Sequence, residues 1–197
     1  LNGKYEGDWK ENYPDYLGCC RKVDDNLAKL ITTLKEMKIY DDTIIVFSSD
    51  HGCHFRTQDG EYKRNCFDSC LRIPLVISGG PFKGGVRNKK MISNIHLPAT
   101  ILSLAGVEVP EDMVYESLEE ALDEDNSWYD DVFFHVSETE LGRGIRTRKW
   151  KYFVTAPHVQ PLKHMDENFT TEGYYKMLEG SQPDSDSYIE KCLFDLE

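Results

Sequence analysis

The chain has 197 residues, of which 40% are hydrophobic and 29% are charged, and its formal net charge at pH 7 is −12. A chain of this size and apolar content can bury a sizeable core within one domain or lobe. Proteins that bind nucleic acid carry basic faces, so the acidic balance argues against a nucleic-acid partner. No stretch of about 18 apolar residues occurs, so no membrane-spanning helix is expected. No signal peptide precedes Leu1, which says nothing about export if the natural chain starts earlier.

The first predicted element is an amphipathic helix over residues 15–38, after a polar and aromatic segment, residues 1–14, that is predicted to be a loop. Apolar residues in this stretch follow the 3.6-residue period of a helix, and charged residues lie opposite them. The apolar positions are Leu17, Cys20, Val23, Leu27, Leu30, Ile31, Leu34 and Met37. The pattern predicts a helix with one buried face and one solvated face.

An apolar run over residues 44–47 is predicted to form a buried strand of an α/β sheet. Asp50, His51 and Gly52 follow it, at the carboxyl end of the strand, where open α/β sheets place their ligands. Asp50 and His51 offer one oxygen and one nitrogen donor to a divalent metal, and Gly52 allows a sharp turn beside them. The same residues also fit an Asx-type turn that binds no metal.

Further elements follow in both halves of the chain, and the composition changes after Pro110. A loop over residues 50–70 leads to a second buried strand over 73–78, and a short helix over 96–105 ends at Gly106. An acidic segment over residues 111–131 is predicted to contain a weak surface helix. Four strand candidates, expected to form a small antiparallel sheet, cover residues 132–137, 144–149, 151–156 and 189–196. Between the last two lies a long polar connection with a short helix near residues 174–178. The predicted division is residues 1–110 and residues 111–197.

The six cysteines allow three interpretations. Their even number permits disulfides in an oxidising compartment. A zinc site built from Cys53, Cys66 and Cys70 with His54 fits no common ligand spacing. Free, partly buried thiols around the core are therefore the favoured interpretation. The six are Cys19, Cys20, Cys53, Cys66, Cys70 and Cys192.

Several ordered motifs together resemble the second half of a sulfatase of the alkaline-phosphatase superfamily. They are Ser-Asp-His-Gly at 49–52, Lys-x-x-x-aromatic-acid at 63–68 and Arg-Ile-Pro-Leu-Val-Ile at 72–77. Matching segments also occur at 41–43, 95–107, 145–152 and 192–197, so the resemblance runs from about Tyr16 to the end. It implies an α/β lobe of the alkaline-phosphatase-like sandwich, residues 1–110, followed by a linker and a small C-terminal antiparallel sheet, residues 111–197.

The chain departs from this family at one point. Sulfatases carry a Cys/Ser-x-Pro-x-Arg motif near their start, whose first residue is oxidised to a formylglycine nucleophile, and two metal-binding aspartates precede it. No such motif occurs in this sequence. The resemblance therefore implies that the nucleophile belongs to a missing N-terminal half, which would be a partner of this chain. The isolated chain is not expected to hydrolyse sulfate esters.

The resemblance also implies roles for individual residues. It places Asp50 and His51 on a calcium or magnesium ion, although imidazole is an unusual calcium ligand and leaves the identity of the metal open. It places Lys63 on the sulfate and the bridging oxygen, as a catalytic residue. His54 is a second catalytic candidate, because it could reach the sulfate or protonate the leaving oxygen, but it could equally pack against Phe55 as a structural residue.

Three arginines are candidates for binding the substrate. Arg56 could face an anionic part of the substrate, and Arg143 and Arg146 could read a carboxylate or a second sulfate at the mouth of the pocket. For Arg56 a solvated surface arginine is the favoured interpretation, and for Arg143 and Arg146 a surface face of the sheet explains the residues almost as well. By the same resemblance the substrate is a sulfated small molecule or glycan, with carbohydrate sulfate the natural choice, and the full-length protein is secreted, periplasmic or lysosomal.

Two other functions stay open at this point. A phosphatase or phosphonate hydrolase of the same superfamily would share the metal chemistry. A freestanding, non-catalytic module would explain the absence of a nucleophile motif from the sequence.

Overall fold

The computed structural model describes residues 5–113, 116–137, 140–156 and 185–196. Its helices are α1 (Trp9–Glu36), α2 (Asp68–Leu71) and α3 (His96–Leu104), with a 3-10 turn at Glu120–Leu122. Its strands are β1 (Ile45–Ser48), β2 (Leu75–Ser78), β3 (Asp131–Val136), β4 (Gly142–Thr147), β5 (Trp150–Thr155) and β6 (Ile189–Asp195). The expected mixed α/β composition is confirmed. Within the described ranges, no helix is long and apolar enough to span a bilayer.

The chain divides into two compact units that alternate along the sequence. The first holds residues 1–63, 68–89 and 94–126, and the second holds residues 64–67, 90–93 and 127–197. The predicted boundary near residue 110 stays a prediction. The predicted helix near residues 174–178 lies outside the described residues.

Helix α1 starts at Trp9, inside the segment predicted to be a loop. Asp8 precedes it, and the Asp8 carbonyl accepts hydrogen bonds from the backbone N–H groups of Glu11 (3.1 Å) and Asn12 (3.0 Å). Pro14 lies within the helix. A proline lacks the N–H that a helix interior needs, so the sequence indicated a start after it. The prediction of a loop over the whole of residues 1–14 is therefore wrong.

The apolar face of α1 is not buried in the described structure. None of the residues of the helix is buried. Leu17, Val23 and Leu30 are each about half exposed, at 49%, 50% and 50%. The period predicted the helix correctly, but the expectation of a buried face is not met within the described residues.

Strands β1 and β2 form a two-stranded sheet with antiparallel register, from Ile45 opposite Ser78 to Ser48 opposite Leu75. Both strands were predicted. The prediction that both strands are buried is wrong. All four residues of β1 are only partly buried, and Val76 of β2 is 59% exposed. In the described part of the chain neither strand pairs with a further strand, so each has one unpaired edge.

Within the first unit, helix α3 packs against the acidic segment. Thr100 is buried, and its hydroxyl donates to the His96 carbonyl (2.7 Å) and accepts from the Leu118 N–H (2.9 Å). His96 is fully buried, its Nδ1 lies 3.2 Å from the Glu116 carbonyl, and burial lowers its pKa. Leu118 and Ala121 are each 2% exposed. The predicted surface helix of this segment is therefore a short 3-10 turn with buried apolar residues.

The second unit contains the small antiparallel sheet that the sequence predicted, with strand order β3-β4-β5-β6. Phe134 and Phe153 stack on its inner face with ring centroids 5.8 Å apart. A Cβ atom at Gly142 or Gly144 would lie 2.1 Å from one of these rings, so both positions need glycine. Cys66, from the segment at 64–67, packs on the same face.

Candidate functional site

The loop after β1 turns sharply at Gly52, which lies against α2. The Gly52 N–H donates to the Cys70 carbonyl at 2.8 Å. A Cβ atom at this position would lie 2.0 Å from the Ser69 carbonyl oxygen, closer than any side chain can approach. Only glycine therefore lets the backbone pass here, and this close approach fixes the direction of the neighbouring Asp50 and His51.

Asp50 presents an exposed carboxylate at the end of the first strand. Its side chain is 84% exposed, and its Oδ1 accepts a hydrogen bond from the His51 N–H at 2.9 Å. That hydrogen bond lowers the pKa of the Asp50 carboxyl, and the charges of the His51 ring and Lys63 lower it further. Asp50 is therefore an ionised, hard oxygen donor at neutral pH.

The His51 ring meets two partners of opposite kinds. Its Nδ1 lies 2.9 Å from the Gly52 carbonyl oxygen, and its Nε2 lies 2.6 Å from the Lys63 ammonium nitrogen. A carbonyl only accepts and an ammonium only donates, so Nδ1 carries the proton and Nε2 offers a lone pair. Histidines that bind metals commonly donate their other N–H to a backbone carbonyl in this way. In this structure the Nε2 lone pair of His51 accepts a hydrogen bond from Lys63, so Lys63 would have to turn away before His51 could coordinate a cation.

The structure brings Asp50, His51 and Lys63 together at one place. The Asp50 Oδ2 lies 3.5 Å from His51 Nε2, the atom that contacts Lys63. A divalent ion fits the chemistry of the two donors. It needs further ligands, because the described residues contain no group of three or more His, Cys, Asp or Glu side chains that could hold a metal.

His54 lies inside the loop. Its side chain is 1% exposed, and its Nε2 lies 3.4 Å from the Asp59 carboxylate. Its backbone N–H donates to the Tyr62 carbonyl (3.0 Å), and its carbonyl accepts from the Thr57 hydroxyl (2.6 Å). Of the two roles considered for His54, this geometry favours packing inside the loop over direct contact with a substrate.

Arg56 lies over the Tyr62 ring, with 4.7 Å between the guanidinium carbon and the ring centroid. Phe55 and Arg56 both have left-handed backbone conformations, with φ of 51° and 57°. The Phe55 ring packs edge-on against Tyr13 (5.7 Å) and Tyr16 (5.3 Å) of α1. The first turns of the helix thus support the loop that presents Arg56.

Sequence reasoning missed the residues that support this loop. The Tyr62 hydroxyl donates to the Asp8 carboxylate, which raises the pKa of Tyr62, and the Asp8 N–H donates to the Phe55 carbonyl (3.0 Å). Gly7, with φ of 72°, lies so close that a Cβ there would be 2.4 Å from the Phe55 oxygen. The cluster of aromatic residues near the start was the one available signal for this packing.

Arg143 and Arg146 both lie on β4 in the second unit, but they do not share a face. Successive side chains alternate across a strand, so residues three apart point to opposite sides of the sheet. Arg143 is opposite Val154 and its guanidinium lies 5.0 Å from the Tyr188 ring centroid. Arg146 is opposite Lys151 on the inner side. The two arginines cannot read one substrate group together from the same sheet face.

Two protein-family models match the chain. The model described as Sulfatase matches residues 2–107, just over half of the chain. The model described as N-sulphoglucosamine sulphohydrolase, C-terminal, matches residues 59–179. The two matches overlap across the segment that contains Lys63.

Individual proteins show the same similarity. Over 164 residues the chain is 31% identical to an N-acetylglucosamine-6-O-sulfatase of Bacteroides thetaiotaomicron, and the match covers 77% of this chain and 29% of the relative. A solved protein in complex with its substrate D-glucosamine-2-N,6-O-disulfate superposes with a TM-score of 0.66 and 30% identity, covering 74% of this chain and 32% of the other. A phosphonate monoester hydrolase of Silicibacter pomeroyi shares the fold, with a TM-score of 0.64 and 24% identity, over 70% of this chain and 31% of its own. The chain spans about a third of the length of these proteins.

Proposed function

Because the chain belongs to the sulfatase family, we propose that it is the C-terminal part of a longer sulfatase that hydrolyses a sulfated sugar. Its fold is a part of the alkaline-phosphatase-like fold of these enzymes. The observation that carries the proposal is the meeting of Asp50, His51 and Lys63 at the end of β1. The relative and the solved complex that act on glucosamine sulfates support an amino-sugar sulfate as the substrate.

Asp50 and His51 are the proposed ligands of a calcium or magnesium ion. Asp50 supplies an ionised oxygen, and the hydrogen bond of His51 Nδ1 to Gly52 leaves Nε2 as the donor atom. Lys63, which donates to Nε2 in this structure, would turn from it toward the substrate when the ion binds. When bound, such an ion withdraws charge from the sulfuryl oxygens. The remaining ligands and the formylglycine nucleophile are proposed to come from the N-terminal part of the enzyme.

Lys63 is the proposed catalytic cation of this part of the site. Its ammonium lies 2.6 Å from His51 Nε2, and a sulfate bound beside the two ligands would lie within its reach. Donors aimed at the oxygen on which charge develops stabilise the transition state more than the ground state. Lys63 also places positive charge locally in a chain of net charge −12, which is needed to attract an anionic substrate.

The other predicted residues take supporting roles in the proposal. His54 positions the loop through Asp59, and Arg56 is the proposed contact with an anionic group of the substrate, because Tyr62 orders its guanidinium. Arg143 and Arg146 stay candidates for substrate contacts on separate faces of the sheet.

The N-terminal part of the enzyme is also the proposed cover for the apolar face of α1. Three of its residues, Leu17, Val23 and Leu30, are about half exposed. Contiguous apolar patches on isolated proteins mark surfaces that another element covers. The same exposure counts against a freestanding, non-catalytic module. A secreted, periplasmic or lysosomal location of the whole enzyme is part of the proposal.

The test is a comparison of substrate classes with the complete protein encoded by the natural gene. We expect hydrolysis of glucosamine 6-sulfate, loss of that activity on chelation of divalent ions, and recovery when calcium or magnesium is returned. Phosphonate and phosphate monoesters, assayed at equal concentrations, test the alternative that the protein is a phosphatase or phosphonate hydrolase. The phosphonate monoester hydrolase of Silicibacter pomeroyi shares the fold. Turnover of phosphonate esters without turnover of sulfate esters would replace the proposed function with that alternative.

A further inference from the structure

Two cysteines far apart in the sequence meet in the core of the second unit. The Sγ atoms of Cys66 and Cys192 lie 3.7 Å apart although 126 positions separate the residues. Cys66 is 2% exposed, and Cys192 on β6 is partly buried. Both are thiols in this structure, and a disulfide needs sulfurs about 2.05 Å apart. A shift of under about 2 Å would therefore join them.

The strand that carries Cys192 pairs irregularly beside this residue. Cys192 is opposite Phe153, but the next pair is Val154 with Glu190, so Lys191 is an extra residue in β6. A bulge of this kind interrupts the ladder and lets the strand bend locally. The movement required to close the sulfurs therefore falls at a point where the sheet is already irregular.

The surroundings of the two thiols determine how fast they can react. Burial raises the pKa of Cys66 to about 12 and also raises the pKa of Cys192, while the charges of Lys151 and Lys191 partly oppose this. The thiolate is the reactive form, so both groups are almost entirely protonated and unreactive at neutral pH in the closed protein. Exposed Cys19 and Cys20 on α1 are accessible by comparison.

We propose that Cys66 and Cys192 are the two halves of a latent intrachain disulfide, which forms when the protein meets an oxidising disulfide. The more exposed Cys192 thiolate attacks oxidised glutathione, so that a mixed disulfide forms and one glutathione thiolate leaves. The Cys66 thiolate then attacks the Cys192 sulfur and releases the second glutathione. Two protein thiols thereby lose two electrons and two protons, and one glutathione disulfide becomes two thiols.

The link would fasten residues 64–67 to β6. Cys66 stands three residues after Lys63 in the sequence, so one end of the cross-link lies close along the chain to the proposed catalytic lysine. The proposal itself does not depend on any enzyme activity, because it rests on the packing of the second unit alone.

The experiment is disulfide mapping of the purified chain. The reduced protein is incubated with oxidised glutathione, once in buffer and once in a urea concentration below the unfolding transition that allows transient opening. Free thiols are then alkylated after denaturation, and the unreduced digest is analysed by mass spectrometry. We expect a peptide pair that joins Cys66 to Cys192, that forms faster in urea, and that disappears on reduction.

Two variants make the mapping specific. In Cys66→Ser, Cys192 is expected to stop at the glutathione adduct. A Cys19→Ser/Cys20→Ser control should form the Cys66–Cys192 pair as the natural sequence does.

A second readout is the melting temperature. In wild type the oxidised chain should melt at a higher temperature than the reduced chain, and in Cys66→Ser this difference should vanish. If both residues are recovered alkylated, or joined mainly to other cysteines, under both conditions, the proposal is overturned.

Discussion

At the scale of single residues, the site depends on how each polar group is held. Asp50 owes its lowered pKa first to the His51 N–H and then to the charges of His51 and Lys63. When folding lowers the pKa of a carboxyl, the group stabilises the fold at any pH above its unfolded pKa, which is near 3.9 for aspartate. This stabilisation is lost as the pH falls through the pKa that the group has in the folded chain. Its charge is therefore expected to persist below the ordinary range of aspartate.

We expect a carbon-detected NMR titration of Asp50 to give a pKa below the ordinary value, about 3.9. Lys63→Met should raise that pKa slightly, because Lys63 is the weakest of the causes, and His51→Ala should raise it more. Lys22→Met on α1 is the control that should leave the pKa unchanged. An ordinary aspartate pKa in the wild-type chain would contradict the described hydrogen bond.

Gly52 and Gly18 offer a matched pair of substitutions. Gly52→Ala would place a Cβ atom 2.0 Å from the Ser69 oxygen, whereas nothing lies within 4 Å of a Cβ at Gly18. We expect Gly52→Ala to lower the free energy of unfolding by about 1–3 kcal/mol through overpacking. Gly18→Ala, in the interior of α1, should raise it by about 0.5–1 kcal/mol. Urea unfolding of both variants measures this, and equal effects would contradict the placement of the turn.

Burial of Cys66 has a consequence at high pH. Its thiol has a folded pKa of about 12, against 9.0 for an unperturbed thiol. Between these values the unfolded chain has lost the proton and the folded chain has kept it, so this residue makes stability fall as the pH rises. Under reducing conditions, the difference in unfolding free energy between wild type and Cys66→Ala should shrink from pH 9 towards 12. A constant difference would show that Cys66 ionises in the folded chain as it does in the unfolded one.

At the scale of elements, β5 separates a core face from an outer face. Phe153 is fully buried against Phe134, whereas the adjacent Tyr152 lies on the opposite side and is 36% exposed. Tyr152 belongs to a row across the sheet, opposite Ile145 and Leu193. The inner face therefore supplies the packing energy of this sheet.

We expect Phe153→Ala to lower the free energy of unfolding of the sheet by about 3–5 kcal/mol, the usual cost of removing a buried phenylalanine ring. Tyr152→Ala is the neighbouring control, and as a half-exposed position it should cost about 1 kcal/mol or less. Thermal or urea unfolding followed by near-UV circular dichroism measures both. A larger loss at Tyr152 than at Phe153 would reverse the assignment of the two faces.

Local sequence patterns predicted these elements to different extents. All four strands of the small sheet lie close to the positions predicted from the sequence. Helix α1 was predicted by its period, but its start was missed because Pro14 resembles a helix boundary in sequence. The antiparallel pairing of β1 and β2 could not be predicted, because a short apolar run has the same appearance in either kind of sheet.

At the scale of the whole molecule, the site was predicted by resemblance more than by spacing. Asp50 and His51 are neighbours in sequence, but only the family pattern connected them to Lys63, and the structure places its Nζ 2.6 Å from His51. The burial of His54 against Asp59 could not be foreseen, because it depends on the path of an irregular loop. Arg143 and Arg146 were grouped by the family resemblance, and their opposite faces became evident only because β4 starts at Gly142 and so contains both residues.

The most direct test of the proposed function is the turnover of glucosamine 6-sulfate by the complete protein and its Lys63→Ala variant. Because Lys63 is proposed to stabilise charge more in the transition state than in the ground state, we expect kcat to fall about 100-fold to 1,000-fold. Lys22→Ala, which removes an exposed lysine of α1, should leave kcat unchanged. Full turnover by Lys63→Ala would contradict the assignment of the catalytic cation, and with it the account of how Asp50, His51 and Lys63 form the site.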